Sequence, residues 1–184
     1  FRGKDGVATR IYTAYRPCTS NDTQLRTVYT QHKRYFRSQR KPGDPDREPR
    51  AAFLQDLEQE LQSRRITGER LIVFMDANGD VTTGPIKRLA IALGLRDTVL
   101  SHNPGLKPSA THQKGSKTID IVLSSPELTI LSAAFLAGSE SLGDHKMAII
   151  DFQEDTLLGE NLVKIVRPQA RHLTCSLPEV RRKY

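Results

Sequence analysis

Apolar residues along the chain alternate between a period of two and a helical period, and the changes mark out the elements. Around "VATRIYTAY" the alternate positions Val7, Thr9, Ile11, Thr13 and Tyr15 share one face and predict a strand. Asp5-Gly6 before it is a hairpin-type turn, and Pro17 after it has no amide hydrogen for a ladder. The run Leu25, Val28, Tyr29, Tyr35 and Phe36 is close to helical spacing, and Phe53, Leu54, Leu57 and Leu61 mark a second amphipathic helix. Between them, residues 38–50 carry three prolines and dense charge, which predicts a mobile loop. "RLIVFM" reads as a fully buried strand. Pro85 opens a short helix with Ile86, Leu89, Ala90 and Leu93 inward and Gly94 at its end. Residues 101–110 read as a loop, 128–138 as a buried strand or helix, and "KTIDIVLS" and "KMAIIDF" as strands. The resulting order is strand, helix, helix, strand, helix, strand, strand, strand, a mixed α/β (α+β) layered fold. The expected division is one domain over 1–152 and a basic linker or tail over 153–184.

Composition adds limits to this picture. A chain of 184 residues suits one domain with a proper core. No apolar run is long enough to span a bilayer, and no secretory leader pattern opens the sequence, so no membrane partner and no secretion are expected. Because Phe1 leads almost at once into strand-like sequence, a fragment of something longer is expected. Net charge is +7, and its distribution is uneven: residues 1–50 hold 12 Lys/Arg against 5 Asp/Glu, the rest 16 against 16. A basic segment beside a neutral remainder suits either a polyanionic partner, nucleic acid first, or a solvated basic face. Cys18 and Cys175 have no metal spacing and read as free thiols in a reducing compartment. The five histidines show no HExxH or paired-ligand pattern, so no zinc site is expected.

The candidate chemistry begins at "LIVFMDANGDV", residues 71–81. A calcium loop starting at Asp76 needs Gly at its sixth place and Glu at its twelfth, where Val81 and Lys87 stand, so that reading fails. A surface turn remains open. So does the lip of an active site, because Asp76 and Asn78 would project together in extended chain where a buried strand emerges. A carboxylate there accepts a proton while the amide donates to an anion. Asp120 lies within a strand of Ile and Val, where a charge needs a partner. Asp144 and His145 stand side by side before the last strand, with Asp120 a candidate partner for one imidazole nitrogen. Each has a bland alternative, a structural carboxylate or a capping His. "GSESLG" fails as a nucleophile elbow because Glu140 holds the nucleophile place, and no P-loop or dinucleotide fingerprint occurs.

Taken in order, "AYRPC", "FMDANGD", "TIDIVLSS" and "GDHKMAIIDF" resemble the motifs of the endonuclease/exonuclease/phosphatase superfamily, which includes pancreatic deoxyribonuclease and the apurinic endonucleases. The spacer "PSATHQKGSKTID" looks most like the endonuclease domains of non-LTR retrotransposons and related reverse-transcriptase elements. The resemblance covers about residues 7–152 and implies a four-layered sandwich of two mainly antiparallel sheets flanked by helices, here lacking the first strands and their glutamate metal ligand. Gly143 replaces the usual Ser before Asp-His. The implied activity is a Mg²⁺- or Mn²⁺-dependent phosphodiesterase that nicks DNA, with a reverse transcriptase domain downstream in the same polyprotein and a nuclear or cytoplasmic location. Exonuclease or phosphatase chemistry, or an inactive remnant that binds nucleic acid, are the alternatives. By the same resemblance Tyr15 donates to the scissile phosphate, Asp76 activates water and Asn78 binds a phosphate oxygen. Asp144 serves the metal, and His145, held by Asp120, stabilises developing charge. Arg16, Thr111, Lys114 and Lys117 are implied substrate contacts.

Overall fold

The computed structural model describes residues 2–141 and 143–159. Asp5 and Gly6 both have positive φ, and Arg2 bridges Ala8 across them, which is the hairpin-type turn expected there. Among the described residues six strands follow: β1 Thr9–Tyr15, β2 Arg70–Asp76, β3 Arg96–Asp97, β4 Asp120–Ser124, β5 Ile130–Phe135 and β6 Ala148–Phe152. The helices are α1 Val28–Gln39, α2 Pro49–Ile66, α3 Gly84–Ala92, α4 Thr98–His102 and α5 Glu154–Leu157. The first sheet has the order β1-β2-β4-β3, with β1 and β2 parallel and the other pairs antiparallel; β5 and β6 form a second, antiparallel sheet. The parallel pair needs a long crossover, which α1 and α2 supply.

Alternation along β2 divides the molecule into layers. Leu71, Val73 and Met75 face one side and pack with Leu54 and Leu61 of α2 and Ile86 and Leu89 of α3. Ile72 and Val122 face the other side, against Leu128 and, more loosely, Phe74, Ala148, Ile150, Phe152 and Leu157. Two sheets packed with helices are the expected α/β architecture. Among the described residues the outer face of the second sheet exposes Leu131 and Ile149.

Several expectations need correction. On β1 the face of Ile11, Thr13 and Tyr15 is largely open, and Tyr12 and Ala14 are the residues turned to the helices, because among the described residues the second sheet packs over Ile72 and Val122 of β2 and β4 rather than over β1. The charged loop is shorter than 38–50: α1 runs to Gln39, and Pro49 sits in the first turn of α2, where a missing N–H costs nothing. Within it, Arg40 donates to Asp44 and Asp46. Strand β3 and helix α4 escape the periodicity because each is too short to show one; Asp97 accepting from the Leu100 amide is the cap that starts α4. The chain stays in the fold past residue 152, since Gln153 N–H donates to Thr129 and Leu157 packs on the second core cluster. Most of the expected tail, 160–184, lies outside the described residues.

Candidate active site

Three strand ends meet in one rung of the first sheet. Tyr15 closes β1, Asp76 closes β2 and Asp120 opens β4, and the register pairs Tyr15 with Asp76 and Asp76 with Asp120. Paired residues project to the same face, and alternation makes this the face of Ile72 and Val122, towards the second sheet. From the turn before β6, His145 reaches across to place Nδ1 2.9 Å from Asp120 Oδ2. An ionised carboxylate only accepts, so Nδ1 carries the proton and Nε2 is left for another partner. Beside this rung is an open cavity of about 270 Å³, lined by Thr13, Phe74, Asp76, Asp120, Phe135 and Lys146.

The carboxyls and the imidazole perturb one another. Burial raises the Asp76 pKa above the ordinary 3.8, and the neighbouring Asp120 charge pushes the same way; the Asn78 amide and His145 oppose it without prevailing. Burial would lower the His145 pKa, but the hydrogen bond and charge of Asp120, with Asp76 and Asp144, outweigh it and raise it above 6.5. The Tyr15 phenol is raised by burial, then by Cys18 and Asp76. The site therefore holds a half-buried carboxylate beside a carboxylate–imidazole pair, residue types that accept and donate protons in general acid–base chemistry.

Asn78 does not occupy extended chain. With φ at 45° it sits in the left-handed region, which Asn tolerates. Its backbone N–H donates to Asp76 Oδ1 at 3.0 Å, so the Asp76 carboxylate caps its own turn. The Asn78 side-chain amide donates to the Arg16 carbonyl at 2.8 Å, and the Cys18 thiol donates to Asn78 Oδ1 at 2.7 Å. Behind the turn lie two arginines. Arg16 is buried and points to the Ala77 and Arg50 carbonyls, and Arg50 donates to the Asn78 carbonyl at 2.6 Å. Burial, then the adjacent Arg50 charge, lowers the Arg16 pKa. The Arg16 guanidinium, implied as a substrate contact, is bonded to loop carbonyls. Asp80 caps Thr82 in the following turn.

Thr111 is likewise turned inward. It is fully buried, and its hydroxyl accepts from the amides of Ile119 and Asp120 at 3.0 and 3.1 Å. It therefore sets the start of β4. Thr111→Val is expected to lower stability by about 2 kcal/mol, because two buried amides lose their acceptor, while Thr111→Ser stays near the parent; denaturant unfolding checks both. Lys114 and Lys117 are exposed on the loop between Thr111 and β4, and Lys117 lies near Asp80 rather than on the cavity wall.

Asp144 is brought to His112, not to the rung: its Oδ2 lies 3.3 Å from His112 Nε2. Among the described residues two groups could hold a metal ion, Asp76/Asp120/His145 and His112/Asp144/His145, with His145 common to both. Sequence reasoning missed Cys18, Arg50, Lys146 and His112. Cys18 and Lys146 lie within the quoted motifs "AYRPC" and "GDHKMAIIDF" and His112 within the spacer "PSATHQKGSKTID", whereas Arg50 arrives by packing alone. A larger groove of about 610 Å³ lies against α1 and its following loop, lined by Lys33, Tyr35, Phe36, Arg37, Arg40 and Arg47 among others, with Arg47 over the Phe36 ring.

No family model matches the chain, and no curated protein matches it. Among solved structures, the human Nocturnin catalytic domain with bound sulfate anion is similar at 28% identity and a TM-score of 0.46, over 55% of this chain and 40% of that chain. The match therefore spans well under half of the Nocturnin chain.

Proposed function

We propose that the chain is a divalent-metal-dependent phosphodiesterase of the endonuclease/exonuclease/phosphatase type, nicking DNA as one domain of a retroelement polyprotein. The observation that carries this reading is the rung of Tyr15, Asp76 and Asp120 with His145 bonded to Asp120. In it, Asp76 receives the proton of the attacking water. Its raised pKa brings it nearer to that task than an ordinary carboxylate, and the Asn78 amide fixes one oxygen so that the other can face the water. His145, oriented through Nδ1, presents Nε2 to the phosphoryl oxygens, and Tyr15 adds a donor from the open edge. The paired carboxylates of Asp76 and Asp120 are hard oxygen donors whose mutual repulsion a cation relieves, so they suit Mg²⁺ or Mn²⁺. Such an ion, when bound, supplies polarisation of the phosphoryl group. The excess of Lys and Arg in residues 1–50, 12 against 5 Asp and Glu, favours a long polyanion over a small phosphate ester.

The test is nicking of supercoiled plasmid, by the 184-residue chain and by the chain joined to any upstream coding sequence. Relaxed plasmid should form with Mg²⁺ or Mn²⁺ and not with EDTA. Absence of nicking from both forms with either ion, or nicking indifferent to EDTA, would overturn the reading. In parallel, DNA affinity should fall steeply as salt rises; a slope near zero excludes phosphate contacts by the basic segment.

A further inference from the structure

We infer that His112, Asp144 and His145 form a binding site for a borderline transition-metal ion of the Zn²⁺ type, separate from the carboxylate pair of the rung. The backbone itself brings them together. His112 and His145 are partners in an isolated antiparallel bridge, with the Gln113 amide donating to the Asp144 carbonyl and the Lys146 amide to the Thr111 carbonyl. Bridge partners point to one face, and the two imidazoles meet edge to face with ring centres 4.9 Å apart. One ligand atom from each of the three side chains lies within 4.8 Å of the others.

The spacing and the donor types select the ion. Bonds of about 2.0–2.1 Å in a tetrahedron put neighbouring ligand atoms about 3.3–3.4 Å apart. His112 Nε2 and Asp144 Oδ2 already stand at 3.3 Å. Two imidazoles and one carboxylate suit Zn²⁺, and leave a fourth position for water; Mg²⁺ prefers an all-oxygen shell. His145 is prepared for ligation, because its Nδ1–H is held by Asp120, the carboxylate–histidine arrangement that orients metal-binding imidazoles. Asp144, its side chain 70% exposed, keeps the entry open. Ligation through His112 Nε2 shifts the ring proton to Nδ1, so the contact from the Lys114 amide is given up. That amide lies on an exposed turn, where water replaces it.

The binding does not depend on the hydrolytic reading, but its consequence does. If His145 serves phosphodiester cleavage, Zn²⁺ held here withdraws it and acts as an inhibitor. Isothermal titration of the 184-residue chain with Zn²⁺ should show one ion bound per chain. His112→Ala and Asp144→Ala should each weaken it at least about tenfold, since even outer partners of a metal ligand are worth that much. Asp76→Ala and Cys18→Ser should leave Zn²⁺ affinity unchanged. Circular dichroism melts confirm that the variants fold, and His112→Gln, which keeps a polar side chain without an imidazole, replaces His112→Ala if that variant does not. No binding to the parent, affinity unaltered by loss of His112, or affinity lost with Asp76 or Cys18 would each overturn the site. None of these readings involves activity, so failure of the hydrolytic proposal and failure of the metal site are told apart.

Discussion

Asp76→Ala is expected to reduce metal-dependent plasmid nicking by at least about a hundredfold, the lower range for loss of a positioned general base, and His145→Ala by a similar factor. Asp76 is the middle member of the rung, flanked in register by Tyr15 and Asp120. It is also the carboxyl whose pKa is raised by burial and by Asp120. The sign of that shift matters. A carboxyl with a folded pKa above its unfolded value is less readily ionised in the fold, so at neutral pH its charge opposes stability. Asp76→Asn removes that charge while keeping the side-chain volume. Its melting temperature should be equal to or above that of the parent while its nicking is lost. Loss of activity without loss of stability is the signature of a residue kept for chemistry. Nicking by Asp76→Ala or His145→Ala at the parent rate would sink the assignment.

The largest effect on folding is expected at Leu61. This side chain of α2 is fully buried in the cluster containing Leu71, Val73 and Ile86. Leu61→Ala removes its contacts and leaves a cavity that close-packed neighbours only partly fill, for a loss of about 3 kcal/mol. In a domain of this size that corresponds to roughly 6–12 °C in melting temperature. Ile66, at the end of the same helix, is 76% exposed, and Ile66→Ala should stay within about 0.5 kcal/mol of the parent. Denaturant melts of the pair decide the point; equal effects would mean that α2 is not anchored as described. The helix also carries Arg50, which holds the Asn78 carbonyl, so loosening α2 should soften the catalytic turn as well.

What could be read from the sequence follows from the range of the forces involved. The buried strand at 71–76, the helix inner faces of Leu54, Leu61, Ile86 and Leu89, and the turn at Asp5-Gly6 are recorded in local periodicity or local dihedral preference, and each appears in the structure. The need of a buried charge for a partner leaves several partners open for Asp120; the resemblance implies His145, and the two stand 2.9 Å apart. The failures are equally physical. Asn78 was placed by assuming extended chain, whereas an Asx turn takes it to positive φ. Thr111 and Arg16 have a substrate role only by the resemblance; a polar side chain carries no mark of whether its partner is a ligand or a backbone group, and here both bond backbone groups. The histidines showed no ligand spacing because His112 meets Asp144 and His145 only through a tertiary bridge.

The alignment of Tyr15, Asp76 and Asp120 also makes the site an all-or-none product of strand alignment. Its three members come from segments separated by α1 and α2 in one gap and by α3, β3 and α4 in the other. No local segment can assemble any two of them, and the chain must close both long gaps before the rung exists. A slip of one residue between β2 and β4 would turn Asp120 into the helix-packed core and present Ile121 to the cavity. That exchange would bury a charge and expose an apolar side chain at once. The same apolar alternation that disfavours the misaligned sheet thus disfavours a half-formed site.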